Sequence, residues 1–414
     1  MNRNIKTFDT AGIATSRPPV AAAAPTTPGM PVSQAPLNLL LIGSDTRSGG
    51  NIALGGGFAV DGARSDTTIL LHVSGDRKHA TGVSIPRDAL VDVPSCFANG
   101  QWLAAQTNVM FNSAFAQGNL PAGNPVCTQN TVEKLTGIRI DHTIVVDFAG
   151  FASMSSAVGG VEVCVPAVNS TYLEHAYGIT LSPGLQNLSG KAAVEYVRAR
   201  EGFGDNSDIG RMKRQQAFMS ALVKKVLSSG TFENPITLYQ LADAATGALT
   251  VDNSLDSVSA LVALGLQLKS VPLSNLDFVT TPWQYDGARI DLVQPDTNIL
   301  WSLLRGDRTL EGQDASGATG GADGGAGSSA TPSVPPSGWA TTGTSPADAP
   351  SAAGERLTTV GATPGAGASH SASPDGTASP SASASGRPVP IPSGITDNIR
   401  HATTNPCSDL VYGN

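Results

Sequence analysis

Apolar residues come in two rhythms along the first three hundred positions. Residues 37–43 (LNLLLIG) form a short apolar run closed by glycine and a polar turn, the pattern of a strand buried on both faces. Runs rich in β-branched residues and bounded by turn formers predict further strands at 67–74, 80–85, 141–148 and 161–165. Between them the spacing widens to the helical period. Helices are expected at 128–136, 148–158, 189–200 with Ser189 as N-cap, and 211–229 before Gly230. The pattern continues with helices at 235–248 and 255–269, a strand at 276–281 and a helix at 296–304.

Strands alternating with amphipathic helices define an α/β fold, a three-layer α/β/α sandwich with a central mixed sheet. The domain occupies residues 36–305, with its motif-bearing core at 36–230. Before it, residues 1–35 are polar and then Pro- and Ala-rich, with no period of 2 or 3.6, and read as an extended spacer. After it, residues 306–395 are Ala, Ser, Gly, Thr and Pro, too poor in large apolar side chains to offset chain entropy, and are expected to be disordered. Residues 396–414 regain aliphatics and Cys407 and read as a short tail that docks back.

The chain of 414 residues carries a net charge of -8 and only 14% charged residues. A nucleic-acid partner is therefore not expected, because phosphate neutralisation needs a clustered basic surface. The four cysteines form no CxxC pair and have no histidine at metal-ligand spacing. Cys96 and Cys127 flank a loop-like segment rich in Asn, Gly and Pro and are the disulfide candidates, which implies an oxidising compartment. No spacing assigns partners to Cys164 and Cys407. There is no run of 18 apolar residues, and MNRNIKTFDT has neither the basic region nor the apolar core of a secretory signal.

The arginines recur in short motifs at the ends of predicted elements, where turns can gather them. GSDTR places Asp45 and Arg47 after the first strand, and RSDT places Arg64 and Asp66 before the second. In SIPRD, Pro86 stops the third strand and presents Arg87 and Asp88. VRARE and DIGRMKRQQ supply Arg198, Arg200, Arg211, Arg214 and Gln215. Arg211 and Gln215, four apart, share one face in the first turns of their helix. Guanidinium forks bind non-bridging phosphate oxygens, and Asp45 with Asp66 offers oxygen-only ligands suited to Mg²⁺ or Mn²⁺. Together these residues read as a diphosphate site. No GxSxG elbow is present, His72 and His142 lie within strands, and the triple glycine at 55–57 lacks Walker spacing.

The ordered series LLLIGSDTR, RSDTTILLHV, SIPRD, FNSAFAQG, VEKLTGIRIDHTIVVDFAGF, GGVEVCVP, LSGKAAVEYVRARE and DIGRMKRQQ resembles the LytR-CpsA-Psr family, in its actinobacterial form, across about half the chain. The resemblance implies an α/β/α sandwich whose hydrophobic cleft holds a polyprenyl chain with the diphosphate at its mouth. It further implies a phosphotransferase that moves a glycopolymer from a polyprenyl-diphosphate membrane carrier onto a peptidoglycan sugar hydroxyl. By position, Asp45 and Asp66 correspond to the Mg²⁺ carboxylates. Arg64, Arg87, Arg198, Arg200 and Arg211 correspond to the diphosphate ligands, with Gln215 and Asp88 in support. The proton acceptor is Asp88 or Asp66. Apolar positions in FAGFASMSSAVGGVEV and QAFMSALVKKVL are candidates to line the cleft or to pack the core.

The resemblance places the protein on the extracytoplasmic face of the membrane or in the wall. The transmembrane helix that such proteins carry ahead of a segment like NIKTFDTAG is not in the sequence, so an upstream start is expected. Two rival readings use the same residues: a lipid-diphosphate pyrophosphatase with water as acceptor, and a non-enzymatic polyprenyl-phosphate-binding protein.

Overall fold

The computed structural model describes residues 5–10, 17–23, 34–46, 51, 63–120, 122–199, 201–204, 206–228, 245–315, 390–404 and 407. The N-terminal half contributes β1 (Lys6–Phe8), β2 (Leu37–Ser44), β3 (Ser65–Val73) and β4 (Ala80–Ser84), followed by four short strands, β5 (Leu90–Val93), β6 (Cys96–Ala98), β7 (Gln101–Leu103) and β8 (Gln106–Met110). Next come α1 (Pro125–Thr136), β9 (His142–Val146), α2 (Phe148–Ala157), β10 (Val161–Val165), α3 (Ser170–Tyr177), β11 (Gly184–Leu188), α4 (Gly190–Arg198) and α5 (Asp208–Ser228). The remainder supplies β12 (Leu249–Asp252), α6 (Val258–Lys269), β13 (Leu276–Thr280), β14 (Trp283–Asp286), β15 (Arg289–Leu292), α7 (Asp296–Arg305), α8 (Ser393–Thr396) and β16 (Arg400–His401).

Eight strands make one sheet in the order β1-β12-β9-β2-β3-β4-β13-β16. The pairs β1/β12, β2/β9 and β4/β13 are parallel and the other four antiparallel, so the sheet is mixed. Side chains alternate across it, as the period of 2 requires. Leu40, Ile42, Leu70, Val83, Val145 and Val279 pack with Val132 of α1 and with Leu300, Trp301 and Leu304 of α7. On the other face Leu37, Leu39, Val73 and Phe278 meet Leu264 of α6 and the half-buried Met219 and Val223 of α5. A third cluster joins the β10–β11 hairpin, α3 and α4 to Phe218 of α5. The result is the expected α/β/α sandwich, with β10 pairing with β11 beside the central sheet rather than within it.

Local chemistry sets the boundaries. Asn124 caps α1 by accepting from the Cys127 N–H at 3.0 Å, Pro125 occupies the first turn, and Gly137 ends the helix with φ 67°. Asp147 caps α2 through the Gly150 N–H at 2.8 Å. Ser189 stands at the N-cap of α4 as expected, but its hydroxyl caps nothing; the Gly190 N–H donates instead to Ser155 Oγ at 2.9 Å.

Several expectations shift. Lys6–Phe8, inside the stretch read as a spacer, is an edge strand on β12. Three residues are too short to show a period, and the pairing partner lies more than two hundred residues away. The segment between Cys96 and Cys127, expected to be loop-like, holds the β6–β7 hairpin and β8, which pairs antiparallel with β5. The tail returns to the sheet, with β16 on β13 and Ile395 fully buried. Cys96 is bonded to Cys127, and Cys164 of β10 to Cys407. Most of the helix expected at 235–248 and most of the low-complexity stretch 306–395 lie outside the described residues, as do Arg47, Arg200 and the glycines at 55–57.

Candidate functional site

The site forms where β2 ends and β3 begins. The ladder slips between Gly43 and Ser44, and the chain on either side is tied by the Asp45 N–H to the Arg64 carbonyl at 3.0 Å. Asp45 Oδ1 in turn accepts from the Arg64 N–H at 2.5 Å. The bulge offsets the next residues and puts Asp66, at the start of β3, beside the strand that follows it. Pro86, just past β4, ends the sheet pairing and turns Arg87 inward.

Arg87 becomes a hub. Its Nη1 donates to Asp66 Oδ1 at 2.6 Å, and its Nε lies 3.3 Å from Asp88 Oδ2 and 3.4 Å from Asp208 Oδ1. Burial opposes the guanidinium charge, but Asp208, Asp66 and Asp88, in that order, outweigh it and hold the pKa above its ordinary value. Asp208 opens α5 and also pairs with Arg211 at 2.8 Å, one turn along. Arg211 is 2% exposed, so this ion pair is sealed from solvent on the arginine side.

From the opposite direction α4 ends at Arg198, which lies 3.4 Å from Glu195 Oε2 and stacks over the Phe148 ring at 5.1 Å. Burial pushes the Glu195 carboxyl up, against the pull of Arg198 and Lys191. Gln215 donates to the Val197 carbonyl at 2.9 Å, fixing the end of α4 to α5.

Asp66, Arg198, Arg211 and Gln215, with Ser44, Thr67 and Asp147, stand at one end of a cavity whose remaining wall is apolar: Leu41, Ile69, Phe148, Phe151, Phe218 and Met219 among others. A second apolar cavity lies between the sheet and helices α5 and α6, past Leu39, Leu71, Val226, Leu264 and Leu268. The two share Leu41, Ile69, Met219 and Leu222, so they adjoin under α5 as one apolar tract. Both segments that the sequence left open between cleft and core contribute to its wall, through Phe148, Phe151 and Met154 and through Phe218, Met219 and Leu222.

The motif residues are thus sorted by the fold. Asp66, Arg87, Asp88, Arg198, Arg211 and Gln215 converge. Arg64 is exposed, and Asp45 is held against its backbone beside the bulge, neither of them lining the cavity. Arg214, from the same motif as Arg211, takes no part: it is 1% exposed, donates from Nε to the Tyr196 carbonyl at 3.1 Å, bonds the Ala199 carbonyl and stacks on Phe203 at 4.6 Å. It clamps α4 to α5. Two carboxylates were missed in the sequence. Asp208 had a visible signal, an acid three residues before an arginine in a first helical turn. Asp147, which lines the cavity and accepts from Asn51 Nδ2 at 3.0 Å, reads only as an N-cap.

Among the described residues no cluster of three or more His, Cys, Asp and Glu is arranged to hold a metal. An all-protein cage is therefore not what the site offers. Asp45 and Asp66 each offer carboxylate oxygens, the donor chemistry that Mg²⁺ takes, with Asp45 bonded to the Arg64 N–H and Asp66 to Arg87.

A layered α/β fold with an apolar passage opening among arginines and aspartates defines the class. The chain matches the LytR_cpsA_psr family over residues 11–303 and belongs to it. It is 34% identical over 265 residues to the cell wall biosynthesis protein LcpA of Corynebacterium glutamicum, covering 59% of this chain and 49% of that protein. With the polyisoprenyl-teichoic acid–peptidoglycan teichoic acid transferase TagU of Enterococcus faecalis it shares 32% identity over 227 residues, 55% of this chain and 64% of the relative. The chain thus spans about half to two thirds of the length of these curated relatives. The crystal structure of protein gbs0355 from Streptococcus agalactiae has the same fold, with a TM-score of 0.51 at 22% identity over 66% of this chain and 88% of that one.

Proposed function

We propose that the protein is a phosphotransferase that moves a glycopolymer from a polyprenyl-diphosphate carrier to a peptidoglycan sugar hydroxyl. The observation that carries this reading is the apolar passage ending at Arg198, Arg211, Gln215 and Asp66. A long hydrocarbon chain gains by leaving water along its whole length. A diphosphate at its end requires guanidinium groups and hydrogen-bond donors where the passage opens. Names of the relatives point the same way.

In the reaction the acceptor oxygen bonds to the sugar-proximal phosphorus, the bond from that phosphorus to the lipid phosphate oxygen breaks, and polyprenyl phosphate leaves with the electron pair. Arg198 and Arg211 offset the charge that builds on the phosphoryl oxygens, which is where most of the acceleration of such a transfer arises. Arg87, spent on three carboxylates, positions Asp66 and Asp88 rather than binding phosphate directly. One of those two takes the hydroxyl proton. Asp66 and Asp45 would hold Mg²⁺ or Mn²⁺, which would supply further charge neutralisation. Two disulfides suit an oxidising, extracytoplasmic setting, and among the described residues no helix is long and apolar enough to cross a membrane.

The test is to incubate purified protein with a lipid-linked glycan, with and without peptidoglycan. Glycan covalently joined to peptidoglycan with matching release of polyprenyl phosphate is expected. Cleavage that proceeds equally without acceptor, and yields no joined product, overturns transfer in favour of a pyrophosphatase. Tight carrier binding without turnover in any condition leaves only a carrier-binding protein.

A further inference from the structure

The β5–β8 ribbon begins at the site and leads away from it. The Asn112 N–H donates to the Arg87 carbonyl at 3.0 Å, the Phe111 N–H to the Ala89 carbonyl at 2.8 Å, and Leu90 pairs with Met110. Beyond Val93 the chain forms the β6–β7 hairpin. On the other flank Ile290 of the β14–β15 hairpin bridges Ala89. Arg87 and Asp88 therefore sit at the root of three short antiparallel pairs.

Both hairpins display aromatic rings to solvent. Phe97 and Trp102 are directly opposed across β6–β7, 36% and 46% exposed, with ring centroids 5.5 Å apart at 68°. Trp283 and Tyr285 of β14 lie 4.9 Å apart at 76°, with Tyr285 61% exposed. Three of the seven large exposed apolar side chains among the described residues lie here, in a chain that is only 5% aromatic. A folded protein displays apolar rings at some cost in solubility, so two exposed aromatic pairs on the hairpins that flank one ribbon call for a partner.

The first pair is held rigidly. Its inner face, Cys96 and Ala98, is buried, and Cys96 is bonded to Cys127 of α1. The turn is Asn99–Gly100 with φ 52° and 79°, the left-handed pair that a two-residue hairpin needs. Asn99 Nδ2 donates to the Gly118 carbonyl at 2.8 Å and Asn124 Nδ2 to the Phe97 carbonyl at 3.2 Å. The neighbouring exposed polar groups are carboxamides, Gln101 and Gln106, with Gln117 bonded to Gln106 at 3.2 Å. Flat rings for a C–H face, ringed by groups that both donate and accept, match a sugar chain better than a polyanion.

Geometry selects which sugar chain. In an in-line displacement the attacking and leaving oxygens lie on opposite sides of the phosphorus. The leaving lipid phosphate belongs to the passage under α5. The ribbon packs with α1 and α7 on the other side of the sheet, through Val91, Val93, Cys96 and Phe111. We infer that the β5–β8 ribbon and its two aromatic hairpins form the docking track for the acceptor glycan strand, delivering its hydroxyl toward Asp88. This rests on the transferase reading. Phe97 stands nine residues beyond Asp88, at most ~30 Å along an extended chain, so the track spans no more than several sugar units.

The test uses the full chain carrying Phe97→Ala and Trp102→Ala together, both solvent-facing, with the disulfide confirmed by mass and the fold by its melting curve. Calorimetry with peptidoglycan glycan strands freed of peptide and lipid should show binding by the parent protein and a loss of at least 10-fold in the variant. The acceptor KM should rise by a similar factor, with kcat and polyprenyl-diphosphate uptake unchanged, and Trp102→Phe should retain most of the affinity. Wild-type affinity and KM in the double variant overturn the track, as does equal loss of carrier uptake. A parent protein that binds strands through these rings yet takes up no carrier supports the track and removes the transferase reading instead.

Discussion

The two faces of the central sheet carry the same kind of side chain and put it to opposite uses. Against α1 and α7, Leu40, Ile42, Leu70 and Val279 meet a filled layer in which Leu300, Trp301, Phe111 and Phe115 are at most 1% exposed. Against α5 and α6, Leu39, Leu41, Ile69 and Leu71 face a passage instead. Interiors normally close-pack because an unfilled void forfeits dispersion contacts. A void lined this consistently by apolar groups, and ending at two arginines, is a cost that a hydrocarbon ligand can recover. The filled face supplies stability and the hollow face supplies a site.

The largest expected effect lies at the mouth of the hollow face. Arg198→Ala removes one of the two guanidinium groups that meet the cavity and should slow transfer by about 10²- to 10³-fold, ~3–4 kcal/mol in the barrier. Steady-state assay with lipid-linked glycan and peptidoglycan checks this. Retained transfer within a few-fold would mean that the phosphates do not bind where the passage opens.

Paired truncations on the two faces test the contrast itself. Leu300→Ala, in the filled layer, should cost about 3 kcal/mol of unfolding free energy, because its neighbours cannot close the hole. Leu222→Ala lines both cavities and has few atoms across from it to lose, so about 1 kcal/mol is expected. Chemical denaturation measures both. Equal losses would show that the passage is no looser than the core.

Hydrophobic periodicity alone cannot draw this contrast, which is why the sequence left FAGFASM and QAFMSALVKKVL between core and cleft. A helix presents the same stripe to a filled layer and to a void. Strand identity was far more legible: the runs at 37–43, 80–85 and 276–281 match β2, β4 and β13 to within a residue or two. The convergence of Asp66, Arg87, Arg198 and Arg211 was also readable, because each sits at the end of an element. What escaped were features fixed by distant partners. β1 exists only through β12, and β16 only through β13. Between Cys96 and Cys127 the sequence reads as loop-like although Asn99–Gly100 is a strong hairpin turn, since strands of three to five residues give alternation too little length to register. Arg211 and Arg214, three residues apart in one motif, differ in role because Arg214 faces the carbonyls at the end of α4, a contact that only the packing of two helices defines.

Filling the passage gives a smaller effect of opposite sign on stability and function. Gly265, in the interior of α6, lines the second cavity, and a Cβ built on it meets nothing within 4 Å. Gly265→Leu should raise helix propensity and bury new apolar surface, for a gain of about 1 kcal/mol. Uptake of polyprenyl phosphate should fall at least 10-fold. A stabilised protein that still takes up carrier at full strength would disconnect the second cavity from the lipid.

The smallest effect concerns Glu195, the carboxylate beside Arg198 at the mouth. Burial raises its pKa in the folded chain above the ordinary value of 4.5, with Arg198 and Lys191 only partly restoring it. Above that value the unfolded chain has already released its proton while the folded chain still holds one. Stability contributed by the protonated form is therefore fully present below about pH 4.5 and declines as pH rises through the folded pKa. Glu195→Gln keeps an oxygen for Arg198 without the charge. It should stabilise the protein at neutral pH, and the gain should vanish as pH falls below 4.5. Melting temperatures of both proteins across this range measure the difference. A gain independent of pH would mean that the carboxylate is solvated like any surface acid, and that the hollow face is wet at its mouth rather than closed around the ion pair.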